Sequence, residues 1–132
     1  MELLVDIRST SASSKNWVGR LVKAQARAIA RRRQIGVEIL TIREEKPVSL
    51  DHGLLRVTRE LCDAKVIDYE IMPSGAGHDA MQMAKITPAG MIFVPSRRGI
   101  SHNPLEWTDP ADIALGTQLL METMIRVAND NR

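Results

Sequence analysis

Several things are scarce in this sequence. There is one cysteine, Cys62, so no disulfide can form within the chain, and a reducing, cytoplasmic setting is expected. Aromatic residues make up 3%, and Trp17, Trp107, Tyr69 and Phe93 are the whole set. That is too few to build a stacking surface for nucleic-acid bases. Apolar runs such as MIFV (91–94) and IALG (113–116) are far too short to cross a bilayer. Neither charge sign dominates: Lys+Arg is 18 and Asp+Glu 16, a net of +2, which argues for neither nucleic acid nor a membrane as partner. The opening MELLVDIRST carries acids near its start and no basic lead segment, so it does not read as a signal peptide. Internal repeats and low-complexity tracts are absent. The histidines, His52, His78 and His102, show no ligand spacing such as HxxxH, and Cys62 belongs to no CxxC.

What remains is an ordinary soluble composition, 44% hydrophobic and 26% charged over 132 residues, enough for one domain or pieces of two. ELLVDIR alternates, with Leu3, Val5 and Ile7 on one face, and predicts a strand that starts abruptly at residue 2. Trp17, Leu21, Ala24 and Ala28 then follow helical spacing. Ser13 or Ser14 is placed as N-cap, Arg31, Arg32 and Arg33 lie at the C-terminal end, and Gly36 is placed to close the helix. VEILTIREE alternates again, so residues 1–46 read as β-α-β. Arg20, Lys23, Arg27 and Arg31 to Arg33 could offer a basic face to nucleic acid, but a solvated helix face is the better reading.

Pro47 breaks the pattern and marks a domain boundary. Beyond it, residues 51–64 predict a helix, VIDYEIM a strand, PSGAGHD a loop, and Asp79 the start of a short helix that it can cap itself. MIFV suits a strand buried on both faces. Asp109 as N-cap and Pro110 in the first helical position predict a long helix to about Ala128, with Leu115, Leu119, Met124 and Val127 on its buried side. The alternation implies an α/β fold with parallel pairing in the second segment.

Three clusters could carry chemistry. Arg8, where the first strand ends, can grip a carboxylate with its planar fork; read from the residues alone, it pairs with a neighbouring acid at the surface. In SGAGHDA (74–80), Gly75 and Gly77 allow close approach of a ligand to the backbone, but the spacing matches no phosphate-binding fingerprint, and His78 can bond within the loop. In GISHNPLEW (99–107), His102 is either a metal ligand, with Glu106 as its orienting group, or a loop histidine bonded to backbone. Glu44 and Glu45 beside Lys46 read as a solvated strand end.

Taken in order, VDIRS, MPSGAGHDAMQMA and MIFVPSRRGISHNPLEWTDPADIALG resemble the C-terminal part of the hydantoinase/carbamoylase family of amidases. That family includes N-carbamoyl-L-amino acid hydrolases, allantoate amidohydrolases and β-ureidopropionases, within the zinc aminoacylase and carboxypeptidase superfamily. The likeness is dense from Met72 to Gly116 and looser between Ser11 and Ile71. It implies a metal-dependent amidohydrolase acting on the carbamoyl or ureido C–N bond of a small N-carbamoyl or ureido acid. It implies two zinc (or manganese) ions in the full-length enzyme, and a homo-oligomer that binds neither nucleic acid nor membrane. Residues 1–46 would be part of a lid and dimerisation domain with a ferredoxin-like sheet, and 47–132 the C-terminal segment of an α/β catalytic domain. On the matching motifs, Arg8 is implied to hold the substrate carboxylate, Gly77 to meet the substrate through its backbone, and His102 to be a metal ligand. The family's other ligands, its catalytic glutamate and its lid histidine all lie upstream of the DIR motif. This chain is therefore expected to be a C-terminal part with no catalytic residue of its own, to hold no metal alone and to be inactive alone.

Overall fold

The computed structural model describes residues 1–130. It contains four helices: α1 (Ala12–Arg33), α2 (His52–Ala64), α3 (Asp79–Met83) and α4 (Pro110–Asp130), with a single 3₁₀ turn at Arg97–Gly99. Two compact units divide the chain. The first is Met1–Val48 with Pro73–Ala76, and the second is Ser49–Met72 with the residues from Gly77 onward.

The expected α/β arrangement is not formed. Among the described residues there is no strand, so the β-α-β reading of 1–46 and the strands expected at 66–72 and 91–94 are corrected. Alternation specifies which side chains share a face. It does not supply the neighbour whose N–H and C=O groups complete a ladder, and an extended segment becomes a strand only when that neighbour is present. The flanks of α1 leave Leu3, Leu4, Leu40 and Ile42 exposed, each by about three quarters.

In the first unit, α1 is capped by Ser11, whose side chain accepts from the Ser14 N–H, and not by Ser13 or Ser14 as expected. The helix ends earlier than Gly36 suggests. Gln34 takes the left-handed conformation (φ 54°), and the Ile35 N–H reaches back to the Ala30 carbonyl, so orphan carbonyls are satisfied before the glycine. Lys23 Nζ donates to Thr41 Oγ1 at 2.9 Å and Lys15 Nζ donates to the Glu45 carbonyl, tying α1 to the segment after it. Only Ala30 of α1 is buried.

In the second unit, Asp51 caps α2 by accepting from the Leu54 N–H at 2.8 Å, and its own N–H donates to the Ala89 carbonyl. The helix closes through Val66, whose left-handed φ of 55° lets the Ile67 N–H reach the Cys62 carbonyl. α4 begins at Pro110, as the Asp-Pro signal predicts. Its buried residues are Leu119 and Thr123, whereas Leu115 and Met124, expected inside, are exposed. α2 and α4 are the only pair of helices that pack together among the described residues. Their contact buries Val57, Cys62, Leu119 and Thr123 and is bordered by Lys65–Glu122 (3.0 Å) and Arg126–Glu60 (2.7 Å). Burial and the nearby Asp63 push the Cys62 thiol pKa up, which keeps it protonated and unreactive. No helix among the described residues is long and apolar enough to cross a membrane.

The chain exposes 11,167 Å² of surface. A folded monomer of 14.7 kDa exposes about 6,900 Å² by the usual scaling with mass. Many large apolar side chains are exposed, and none is fully buried among the described residues.

Candidate functional site

Arg8 lies in the first unit. Its Nε donates to Asp6 Oδ2 at 2.8 Å, with Nη2 2.6 Å from the same oxygen, and its Nη1 donates to the Gly75 carbonyl at 2.9 Å. The pairing with a neighbouring acid is therefore formed, and the acid is two residues away. The hydrogen bond from Arg8 holds the Asp6 carboxyl below its usual range and raises the guanidinium pKa in return. Both side chains remain 61% exposed, and the two partners do not use up the five guanidinium donors. Arg8 thus stays open to a further carboxylate while its position is fixed from both sides.

The bond to Gly75 links the DIR motif to the glycine loop across 67 residues. Within that loop the Ala76 N–H donates to Ser74 Oγ at 3.2 Å, and Ser74 Oγ lies 3.1 Å from the Ala76 carbonyl. Gly77 has no positive φ, and a Cβ built on it meets only Met81 Sδ at 3.9 Å, ordinary contact. Neither backbone strain nor packing requires glycine there, so what its bare backbone offers is close approach by something from outside. α3 then starts at Asp79, with His78 at the N-cap position rather than Asp79. The His78 ring stands 5.6 Å from that of Phe93.

His102 lies in the second unit, on the loop between Ser96 and Asp109, and is exposed. Its backbone is left-handed (φ 53°), and its N–H donates to Glu106 Oε2 at 2.7 Å. The orienting partner expected for the imidazole is therefore bonded to the backbone instead. The imidazole itself has no hydrogen bond, ion pair or ring contact among the described residues. Asp109, expected as a side-chain cap, takes a different role: its Oδ1 accepts from Arg97 Nη2 at 3.1 Å and Trp107 Nε1 at 3.2 Å.

No group of three or more His, Cys, Asp or Glu residues stands together to hold a metal ion among the described residues. Among the described residues the donor set does not fit the two-metal centre that the resemblance implies. An open cavity of about 330 Å³ lined by Cys62, Asp63, Val66, Ile67, Asp68 and Tyr69 includes none of the candidate residues. Sequence reading paired Arg8 with a neighbouring acid without naming Asp6, and it missed Asp109 as the tie at the base of the His102 loop. The first was legible as an acid at i−2; the second is a contact across 12 residues with no local signal.

The family model for Peptidase family M20/M25/M40 matches residues 5–126. An uncharacterized hydrolase of Haemophilus influenzae is 42% identical over 127 residues, which is 96% of this chain and 31% of that protein. The allantoate amidohydrolase of Escherichia coli is 37% identical over 124 residues, covering 94% of this chain and 30% of the relative. The N-carbamoyl-L-amino-acid amidohydrolase of a Pseudomonas species is 35% identical over 126 residues, covering 96% and 30%. A crystal structure of AtUAH in complex with glyoxylate superposes with a TM-score of 0.79 and 29% identity over 88% of this chain and 28% of that one. The chain spans about three tenths of the length of the curated relatives it matches.

Proposed function

The chain belongs to Peptidase family M20/M25/M40, and from that membership we propose that it forms part of a cytoplasmic, metal-dependent amidohydrolase. The substrate would be an N-carbamoyl-L-amino acid or a related ureido acid, cleaved at the carbamoyl or ureido C–N bond. The observation that carries the reading is the match along residues 5–126, together with relatives named for N-carbamoyl-L-amino acids and allantoate. Arg8 would hold the substrate carboxylate and so convert binding energy into alignment. Gly77 would meet the substrate through its backbone. His102 would offer one imidazole to a metal whose remaining ligands this chain does not assemble. Residues 1–46 and 47–132 would belong to separate domains of the assembled enzyme, which would itself be a homo-oligomer.

The test is complementation. The chain alone is expected to hydrolyse nothing; co-expressed with a partner polypeptide that completes the relatives' length, it is expected to release product from an N-carbamoyl amino acid or from allantoate. In that pair, Arg8→Ala should raise KM roughly ten- to a hundredfold, the loss of a charge-assisted contact. Halves that associate yet hydrolyse no ureido acid would overturn the substrate class. A second reading, a self-associating module without catalysis, is favoured by the extent of exposed apolar surface. It predicts dimers or larger species of the chain alone in the light scattering of the same preparation.

A further inference from the structure

The loop from Ser96 to Asp109 is tied at its base before it presents His102. The Arg97 N–H donates to the Trp107 carbonyl at 2.8 Å, the Arg97 guanidinium lies 5.9 Å from the Trp107 ring centroid, and Asp109 Oδ1 accepts from both side chains. Ser96 Oγ donates to the Ile100 carbonyl. At the tip, Asn103 Oδ1 accepts from the Leu105 N–H and the Asn103 carbonyl from the Glu106 N–H, each at 2.9 Å. The second turn brings the Glu106 side chain back over His102.

His102 is one of four non-glycine residues with positive φ among the described residues. Gln34 and Val66 hold that conformation because it closes a helix, and Arg98 holds it inside a 3₁₀ turn. His102 closes no helix. A residue with a Cβ pays to sit there, by about 1 kcal/mol or more, and does so only when its surroundings hold it. What holds His102 is a carboxylate on its own amide at 2.7 Å, a charge-assisted bond and the short kind. The imidazole is left free by the same arrangement. The contacts fix the backbone of His102 and leave its ring unengaged among the described residues.

We propose that Glu106 is a positioning residue that acts through the peptide N–H of His102. Its side-chain oxygen keeps His102 left-handed and so sets the direction in which the imidazole leaves the loop. This deepens the functional reading above and rests on it for what the ring meets, but not for the hold itself.

The experiment uses the 132-residue chain, isotope-labelled, with Glu106→Ala, Glu106→Gln and Glu106→Asp. The amide-proton shift of His102 and its amide–Hα coupling are read by NMR, with a thermal melt of each variant alongside. Glu106 is exposed, so the melts should coincide. Glu106→Ala should lose both the hydrogen-bonded shift and the left-handed coupling. Glu106→Gln should keep them, because its amide oxygen can accept the same bond. Glu106→Asp, one methylene short, should lose them with the charge retained. Retention in Glu106→Ala, or loss in Glu106→Gln, overturns the proposal. If Glu106→Ala alone melts lower, the Gln and Asp pair decides. Activity of the complemented enzyme, lost in His102→Ala, reads the ring's role separately. An active His102→Ala enzyme would sink the ligand role and leave the hold standing.

Discussion

α1 is the longest helix among the described residues, and it packs far less than its length allows. It has 22 residues, a side-chain cap at Ser11, three arginines in its last turn and a closed C-terminus, yet it buries only Ala30. α2 has 13 residues. Together with α4 it buries Val57, Cys62, Leu119 and Thr123, and Thr58 and Thr123 face each other across the contact at 3.5 Å. The difference separates two sources of helix order. α1 has what a sequence can specify locally: caps, spacing and favourable end charges. The α2–α4 pair has in addition what only tertiary packing provides, and packing supplies most of the stability of helices in proteins. The side of α1 carrying Trp17 and Leu21 is apolar and exposed, so its local pattern is complete while its burial is not.

The largest effect that would test this contrast is at Leu119, at the centre of the α2–α4 contact. Leu119→Ala removes buried methyl groups from an unsupported small core, at a cost of about 2–3 kcal/mol. Hydrogen exchange read residue by residue should show protection falling in α2 and α4 while α1 keeps its own. If α1 loses protection equally, the two regions open as one cooperative unit and the contrast fails.

A matched pair of glycines sharpens the same point with smaller effects. A Cβ on Gly19 in α1 meets nothing within 4 Å. Gly19→Ala should therefore deliver the whole propensity gain, about 1 kcal/mol, as higher helicity of α1. A Cβ on Gly116 in α4 would stand 2.5 Å from Val94 Cγ1. Valine is branched at Cβ and can yield only by turning about χ1. Gly116→Ala should lower the melting temperature by the equivalent of about 1 kcal/mol, and Val94→Ala in that background should restore it. Equal gains at both positions would mean that residue 94 does not rest on α4.

The same division explains what could be read from the sequence. The starts of α3 at Asp79 and of α4 at Pro110 were legible from residues within one turn of them. The caps were not. Gly36 and Asp79 looked like the residues to close α1 and cap α3, but Gln34 and His78 hold those positions. The strands failed for a different reason. Leu3, Val5 and Ile7 share a face by alternation, but pairing depends on a second segment that alternation cannot name. At the candidate site, the residue types were legible and the bonds were not. Arg8 and Asp6 are two residues apart, and their pairing was half visible. That Glu106 would bond the amide of His102 rather than its ring depends on the turn at Asn103, which the letters NPLE do not spell out. Gly77 and His102 keep the roles that resemblance gives them as proposals.

The smallest effect lies in acid. Glu122 is held below the usual carboxylate range by the hydrogen bond from Gln118 and then by Lys65, which sits just past the end of α2. Asp6 is held low by Arg8. A depressed carboxylate lends stability above its unfolded pKa, and that stability is lost as the pH falls through the lower, folded pKa. The ordinary values are 4.5 for Glu122 and 3.8 for Asp6, so both losses fall at or below those points. They should not look alike. Glu122 joins two helices, so its protonation loosens the α2–α4 contact, and the α2–α4 melt should move down slightly as the pH drops from about 5 to about 3. Asp6 joins only Arg8, two residues away, so its protonation should free the guanidinium and melt nothing. Glu122→Gln is then expected to flatten part of the acid slope of the melt, and Asp6→Asn to leave that slope unchanged while shifting the Arg8 side-chain resonances. An acid slope that survives Glu122→Gln in full would place the pH dependence elsewhere and reduce the Lys65–Glu122 pair to a surface contact without consequence for the packed region.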